Sequence, residues 1–312
     1  MAELKELTQI EAQDGPPKPA IKTLHIVTPV ISIEDSDGVS IFLRSLERAV
    51  AAEPVENSSI TVHLLCSDKV PAVNPTAGLQ YSFYMNCQEV CRPHVTVTRF
   101  LKIKDMEFPA DDTVILMDSR DSVFQHNPFA PAYLFEHSPC VHFYTEIYHN
   151  TLFKNEWSRA MLWHLLGINA KHPLFRNSNI ICGGFMMGKW SMLKRWVTLL
   201  IGGIKPEHYK IFGADQPYLN AFYYLGYHPS PAILHQDFEG FIFHMHGIDM
   251  PANSFESKDC IVDVKHIYSP VRFNEGHEPC ILHQYDRNLK LLAHFKNIYL
   301  GGFVEEKGEI KA

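Results

Sequence analysis

Two carboxylates and a guanidinium follow a run of β-favouring apolar residues in this 312-residue chain. The run extends from Thr113 to Met117, and Asp118, Arg120 and Asp121 come directly after it. An uninterrupted apolar run is typical of a parallel strand that is covered on both faces. Ligands of open α/β sheets collect at the carboxyl ends of the strands. Two hard oxygen donors at such a place predict a site for Mn²⁺ or Mg²⁺ that faces a diphosphate.

The same residues also have a purely structural interpretation. Asp118 could cap the turn that follows the strand, and Arg120 and Asp121 could form a surface ion pair of little energetic consequence. A motif of this length is a hypothesis that its structural context must test.

The elements around this motif predict an α/β fold in a single domain, with a mostly parallel central sheet flanked by helices. Strands are expected at 24–28, 60–66, 95–101, 113–117 and 141–146, and helices at 39–46, 156–166, 191–200 and from 215 onward. Gly167 is expected to stop the second helix, Gly202 and Gly203 to lie beyond the third, and Asp215 to cap the fourth. Residues 1–20 are expected to be a flexible leader, 21–303 the domain, and 304–312 a flexible tail.

Composition excludes some classes of protein. Hydrophobic residues at 46%, charged residues at 20% and a net charge of −7 indicate a globular chain without the basic field that nucleic acid would need. The seven cysteines include no C-x-x-C pair, so buried free thiols in a reducing, cytoplasmic compartment are expected rather than zinc. No signal-peptide pattern and no integral membrane segment are evident, although an anchor outside this sequence is compatible with the pattern. The oligomeric state is not indicated.

Three further segments follow the acidic motif and its continuation Phe124-Gln125 and Asn127-Pro128-Phe129. They are Arg176-Asn177-Ser178-Asn179 with Gly183-Gly184, then Gly213-Ala214-Asp215-Gln216, and last His283-Gln284-Tyr285-Asp286-Arg287. In this order, over roughly residues 22–290, the segments resemble the GT-A class of nucleotide-sugar-dependent glycosyltransferases. The resemblance is closest to a group whose metal motif reads acid-x-Arg-acid.

The resemblance implies transfer of a sugar from a nucleoside diphosphate, with a UDP-sugar as donor and a carbohydrate hydroxyl as acceptor. It implies a divalent cation, Mn²⁺ or Mg²⁺, held by Asp118, Asp121 and His283. The usual motif spaces its two acids closer together, and here Arg120 stands where the second acid is normally found. If Arg120 neutralises the diphosphate, the requirement for the cation is weak.

The remaining roles that the resemblance implies fall on cleft residues. Asp215 and Gln216 are the expected catalytic residues, and Thr28, Asp68, Asp118, Arg120, Asn179 and Gly183 are the expected donor-binding residues. In an inverting enzyme Asp215 would be the general base, and in a retaining enzyme Asp215 or Gln216 would stabilise positive charge on the sugar. The sequence leaves Asp68 open between nucleotide binding and a turn cap.

Aromatic and histidine side chains leave further alternatives. His244 and His246 rival His283 as ligands, because alternate strand residues share a face; hydrogen-bonded or exposed imidazoles are the simpler expectation for that pair. Glu146 and Trp157 are expected near the acceptor, since a Trp ring packs well against sugar C–H groups. In contrast, we expect Trp163, Trp190 and Trp196 in the core.

Two rival functions remain at this point. A nucleotidyltransferase or sugar-nucleotide pyrophosphorylase shares the acidic ligands but needs a Gly-rich, basic loop after its first strand. Here the segment from Thr28 to Asp35 is acidic and contains no glycine, which disfavours that class. A non-catalytic sugar-nucleotide-binding protein that keeps the fold is the second rival.

Overall fold

The structure, a computed structural model, describes residues 22–30, 36–87, 95–130, 139–146, 150–236, 241–245, 260–262, 271–273 and 278–301. The expected leader and tail therefore lie outside the described residues, as does His246.

Strands and helices alternate through most of the described chain. The strands are β1 (Lys22–Val30), β2 (Ser58–Cys66), β3 (Leu79–Tyr84), β4 (Thr113–Met117), β5 (Ser122–Phe124), β6 (Val141–Tyr144), β7 (Phe185–Lys189), β8 (Ala232–His235), β9 (Ile242–His244), β10 (Cys260–Val262), β11 (Val271–Phe273) and β12 (Ile281–His283). The α-helices are α1 (Ser36–Ala52), α2 (Val95–Lys104), α3 (Glu156–Leu166), α4 (Pro173–Arg176), α5 (Trp190–Gly203), α6 (Asp215–Tyr224) and α7 (Leu289–Leu300).

The central sheet has seven strands among the described residues, in the order β3-β2-β1-β4-β7-β6-β8. Strand β7 runs antiparallel to both of its neighbours, and the other neighbouring pairs are parallel. The expected single α/β domain with a mostly parallel central sheet is therefore confirmed.

Helices cover both faces of this sheet. In β4, Ile115 and Met117 pack into a core shared with α1, while Val114 and Leu116 pack into a second core shared with α2 and α5. All four side chains are buried. The strand therefore shows no polar alternation, as the apolar run before Asp118 predicted.

A smaller sheet carries the C-terminal part of the fold. Strand β12 pairs antiparallel with β5 and parallel with β9, so that His283 lies opposite both Ser122 and His244. Behind this sheet, Leu291 and Phe295 of α7 pack against its buried side chains. The described part of the chain thus brings its last strand beside the turn that follows β4.

The prediction of a strand at 95–101 is wrong, because these residues begin α2. Val97, Phe100 and Ile103 repeat every three residues, and this buried face packs against the sheet and α5. Helix packing outweighs the β propensity of the local Val-Thr alternation. The strand that follows β2 is β3, at the edge of the sheet, where its half-exposed residues give a weak apolar signal.

Helix ends differ from the predictions at two places. Gly167 ends α3 in a left-handed conformation as expected, but Gly202 and Gly203 lie inside the last turn of α5. No side chain caps α5; instead, the backbone carbonyls of Asp112 and Ala110, just before β4, accept hydrogen bonds from its first two amides. Asp215 is the first residue of α6 and not its cap, a position that Ala214 occupies without a side-chain hydrogen bond.

Trp190 and Trp196 are buried as predicted, but the prediction for Trp163 is wrong. Its side chain is 64% exposed on the outer face of α3. The cysteines whose side chains are described (Cys66, Cys87, Cys140, Cys182 and Cys280) are all free and buried, as expected. Among the described residues, no helix combines the length and the apolar character needed to cross a bilayer.

Candidate functional site

The turn from Asp118 to Asp121 begins where β4 ends and is fixed at both ends. The amide of Asp118 donates to the carbonyl of Gly184, and the hydroxyl of Ser119 donates to the carbonyl of Pro29 at the end of β1. The hydroxyl of Ser122 closes the turn by donating to the carbonyl of Asp118. Both carboxylates therefore start from backbone that the sheet holds in place.

The pairing of β12 with β5 brings His283 to this turn. The amide of Gln284, the next residue, donates to the carbonyl of Asp121 at 2.7 Å. As a result Nε2 of His283 lies 3.4 Å from Oδ1 of Asp121, and both side chains are buried. Asp118 is half-buried, and one ligand atom from each of the three residues lies within 4.8 Å of the other two.

Gly184 gives these side chains room to converge. A Cβ atom on this residue would lie 2.9 Å from Oδ2 of Asp118 and 3.0 Å from Nε2 of His283. No side chain larger than hydrogen fits there without moving one of the two. The pair Gly183-Gly184 before β7 thus serves the close approach of functional groups, which the sequence indicated only in general terms.

Charge coupling sets the protonation of Asp121 and His283. Burial alone would raise the pKa of Asp121, but the positive charge of His283, with help from Arg120 and Arg287, holds that pKa at about 2. Burial would lower the pKa of His283, but the charge of Asp121 outweighs it and raises the pKa well above the usual histidine value. The carboxylate and an imidazolium therefore form a buried ion pair.

These residues fit a divalent cation. Two carboxylates and an imidazole are ligand types that suit Mn²⁺ and Mg²⁺. Oδ1 of Asp121 and Nε2 of His283 are buried, lie 3.4 Å from each other and make no hydrogen bond that the described residues supply, so a cation bound to both would satisfy them. A cation there would replace the proton on Nε2, because a ligating imidazole must be neutral at the ligating nitrogen.

Arg99 is the site residue that the sequence interpretation missed. Its buried guanidinium contacts Oδ1 of Asp118, donates to the carbonyl of Gly183 at 2.7 Å and lies 3.1 Å from Oδ2 of Asp215. Burial opposes its charge, but Asp118 and Asp215 outweigh that effect and raise its pKa. The sequence does contain an indication of this residue, an arginine within the apolar segment 95–101. It was overlooked because that segment was predicted to be a strand.

Asp215 and Gln216 lie across Arg99 from the acidic turn. Burial raises the pKa of Asp215 to about 6, although the charge of Arg99 acts in the opposite direction. The side-chain amide of Gln216 donates to the carboxylate of Glu146 at 3.0 Å. A buried carboxyl group with a pKa near 6 can accept or release a proton close to neutral pH, which suits acid–base catalysis.

A cavity of about 650 Å³ joins these groups. At one end Arg120 and Arg287 line it beside Asp121 and His283, and each guanidinium lies 3.6 Å from a carboxylate oxygen of Asp286. Two exposed aromatic side chains, Trp157 and Phe212, also line the cavity, and Asp215 forms part of its wall.

The structure brings most of the predicted site residues together, but not all. Asp118, Arg120, Asp121, Gly183, Asp215, Gln216 and His283 line the cavity. Thr28 is fully buried, and its neighbour Pro29 lines the cavity in its place.

Asp68 and Asn179 are not among the residues that line the cavity. Asp68 is exposed and accepts a hydrogen bond from Ser67, and Asn179 donates to Gln236 at 2.6 Å. His244 is buried beside His283, with their Nδ1 atoms 2.8 Å apart.

Comparison with known proteins adds no family assignment: no protein-family model matches this chain, and no curated protein is significantly similar to it.

Proposed function

We propose that this chain is a GT-A-like glycosyltransferase that moves a sugar from a nucleoside diphosphate, with UDP-sugars as the first donors to test, to a hydroxyl group of a carbohydrate acceptor. The observation that carries the proposal is the convergence of Asp118, Asp121 and His283 on one cavity at the end of β4. Open α/β sheets bind their ligands at this end of the strands. The cavity volume lies within the range of small-molecule sites, roughly 300–1,000 Å³.

Asp118, Asp121 and His283 would hold the cation. When bound, the cation supplies positive charge that stabilises the departing diphosphate. Arg120 and Arg287 line the same end of the cavity and provide donors for diphosphate oxygens. This end of the cavity therefore suits the phosphate part of a nucleotide sugar.

Asp215 is the proposed catalytic carboxylate. Its pKa of about 6 leaves it ionised at neutral pH, and its burial strengthens its interaction with a reacting group. As a general base it would accept the proton of the acceptor hydroxyl; in a retaining reaction it would stabilise positive charge on the sugar. Gln216, held by Glu146, lies beside it for hydrogen bonding to sugar hydroxyls.

Two aromatic side chains that line the cavity support a carbohydrate acceptor. The ring of Trp157 lies directly against Gly213, where a Cβ atom would approach it to 2.8 Å, and Phe212 is 62% exposed beside it. Aromatic faces pack well against sugar C–H groups. Donor and acceptor would then share one cavity whose wall includes Asp215.

The test is release of UDP from a panel of UDP-sugars, with and without simple sugar acceptors, in Mn²⁺ and in EDTA. We expect UDP release that Mn²⁺ increases and that a suitable acceptor increases further. Formation of UTP and sugar 1-phosphate from UDP-sugar and pyrophosphate would instead indicate a nucleotidyltransferase. Tight UDP-sugar binding without turnover under any condition would favour a non-catalytic binding protein.

A further inference from the structure

The imidazole of His283 is held from two opposite sides. Its Nε2 atom faces Asp121 at 3.4 Å, and its Nδ1 atom faces Nδ1 of His244 at 2.8 Å. His244 belongs to β9 and lies in register with His283 across the parallel pairing of β9 with β12. Both histidines are buried, with 0% and 2% of their surface exposed. A second histidine therefore supports the one that faces the cation site.

The short distance between the two Nδ1 atoms requires one proton between them. Two lone pairs would repel each other at 2.8 Å, and so would two N–H groups. A cation on Nε2 of His283 needs the lone pair of that atom, which places the proton of the neutral ring on Nδ1. In that state Nδ1–H of His283 donates and Nδ1 of His244 accepts.

We propose that His244 is a positioning residue of the cation site, which accepts the Nδ1–H of His283 and so keeps Nε2 directed toward Asp118 and Asp121. This inference rests on the cation site of the proposed function. In metal sites a ligating histidine generally donates its other ring N–H to a neighbouring group, which fixes the orientation and the tautomer of the ring. Nothing in the sequence pattern alone distinguished this role from that of a direct ligand.

A rival arrangement places a metal on the opposite side of the ring. Cys182 lies 3.7 Å from Nδ1 of His283, and its sulfur forms a compact buried group with the two histidines. However, two nitrogens bound to one tetrahedral zinc ion at about 2.0–2.1 Å would lie about 3.4 Å apart. The observed 2.8 Å between the Nδ1 atoms fits a hydrogen bond instead.

The environment of His244 allows its positioning role to be separated from stability. Its Nε2 atom is buried and has no hydrogen-bond partner among the described residues. A buried donor without a partner lowers stability. A phenylalanine at this position would remove that cost, so we expect His244→Phe to fold while losing the support of His283.

The experiment measures Mn²⁺ affinity in the presence of UDP, by electron paramagnetic resonance of free Mn²⁺ at one neutral pH. His244→Phe should weaken Mn²⁺ binding about 10- to 100-fold, the usual effect of removing such a partner. His244→Asn should recover most of the affinity, because its amide oxygen takes the place of Nδ1, whereas the amide of His244→Gln lies farther out. The matched control is His142→Phe, which breaks a 2.8 Å histidine–histidine hydrogen bond between β6 and β8 and should leave Mn²⁺ binding unchanged.

Several results would overturn the inference. The first is a wild-type affinity for Mn²⁺ in His244→Phe. The second is an equal affinity for Mn²⁺ in His244→Asn and His244→Gln, and this comparison tests the inference even if His244→Phe does not fold. A thiolate-to-metal absorption band in the Co²⁺ form, lost in Cys182→Ser, would place the ion on the Nδ1 side. If the wild-type chain binds no Mn²⁺ with or without UDP, both the proposed cation site and this inference are refuted. If the wild-type chain binds Mn²⁺ and the His244 variants bind it equally well, only this inference is refuted.

Discussion

His283 lies 3.4 Å from Asp121 because β12 pairs with β5 in a register that sets His283 opposite Ser122, the residue after Asp121. Two segments far apart in the sequence thereby form one buried ion pair at the end of the central sheet. A buried charge needs a partner or a ligand. The ion pair meets that need, and a divalent cation would replace the proton that His283 carries.

The first prediction concerns the acidic turn. Asp118→Asn and Asp121→Asn should each remove most transfer activity per folded molecule, because both carboxylates would hold the cation. Asp121→Asn should also lower the free energy of unfolding, by up to about 3–5 kcal/mol, since it leaves His283 buried without its ion-pair partner. UDP release and denaturant unfolding measure the two quantities. Asp111→Asn, at the exposed opposite end of β4, is the matched control and should leave activity unchanged. Unfolded variants with normal activity per folded molecule would make the turn structural.

Gly184 offers a test that removes no functional group. Gly184→Ala should displace Asp118 or His283, because its methyl carbon would approach both within about 3 Å, and should therefore weaken Mn²⁺ binding. The control is Gly202→Ala in the last turn of α5, where no atom lies within 4 Å of the added carbon. That variant should bind Mn²⁺ normally and gain roughly 0.5–1 kcal/mol of stability. Equal Mn²⁺ affinity in both variants would show that no cation binds beside Gly184.

Linkage between the cation and the nucleotide is the third prediction. Mn²⁺ and UDP together should raise the melting temperature by more than the sum of their separate effects, because a cation that contacts the diphosphate makes each ligand bind more tightly when the other is present. Differential scanning fluorimetry measures these shifts. Equal shifts for UDP with Mn²⁺ and UDP with EDTA would indicate that Arg120 and Arg287 carry the charge without a metal.

Asp215 provides the fourth prediction. Asp215→Asn should keep the fold and the affinity for UDP but lower kcat by about 10²-fold or more, because an amide cannot accept the proton. In the wild-type protein kcat/KM should rise with pH and reach half of its plateau near pH 6, since a general base acts only when ionised. Near-normal turnover in Asp215→Asn would exclude Asp215 as the base and leave Glu146, which holds Gln216, as the next carboxylate to test.

The fifth prediction concerns stability in acid. His63 hydrogen-bonds to His25 and Tyr84, and His25 in turn contacts Asp112. Burial and the neighbouring His25 lower the pKa of His63 to about 4. Between about pH 6.5 and 4 the unfolded chain thus binds a proton at His63 that the folded chain does not.

Stability should therefore fall as the pH decreases through this range, and His63→Gln should reduce the slope of the free energy of unfolding against pH. The same substitution at His164, which is exposed on α3, should leave the slope unchanged. Denaturant titrations at several pH values measure this slope. An identical pH dependence in His63→Gln and the wild type would contradict the assignment.

Patterns within single segments of the sequence predicted the site residues that lie at the ends of strands. The apolar run before Asp118 and the glycines at 183 and 184 point to backbone positions that the sheet fixes directly. Helix α2 escaped prediction because its Val-Thr alternation favours a strand in isolation, and only packing against α5 selects the helix. Arg99 was missed along with it.

Long-range register explains the remaining gaps. The sequence contains several histidines near its end, and only the pairing of β12 with β5 and β9 selects His283 for the acidic turn and His244 for the position behind it. Such register depends on contacts between distant segments and not on local propensity. The helical spacing of the tryptophans likewise did not reveal that the ring of Trp163 faces solvent.

The most direct test of the account is the structure of the complex with UDP and Mn²⁺. We expect the ion within about 2.0–2.3 Å of oxygens of Asp118 and Asp121 and of Nε2 of His283, with the diphosphate beside Arg120. A nucleotide bound outside this cavity, or a diphosphate that contacts none of these residues, would contradict the central claim.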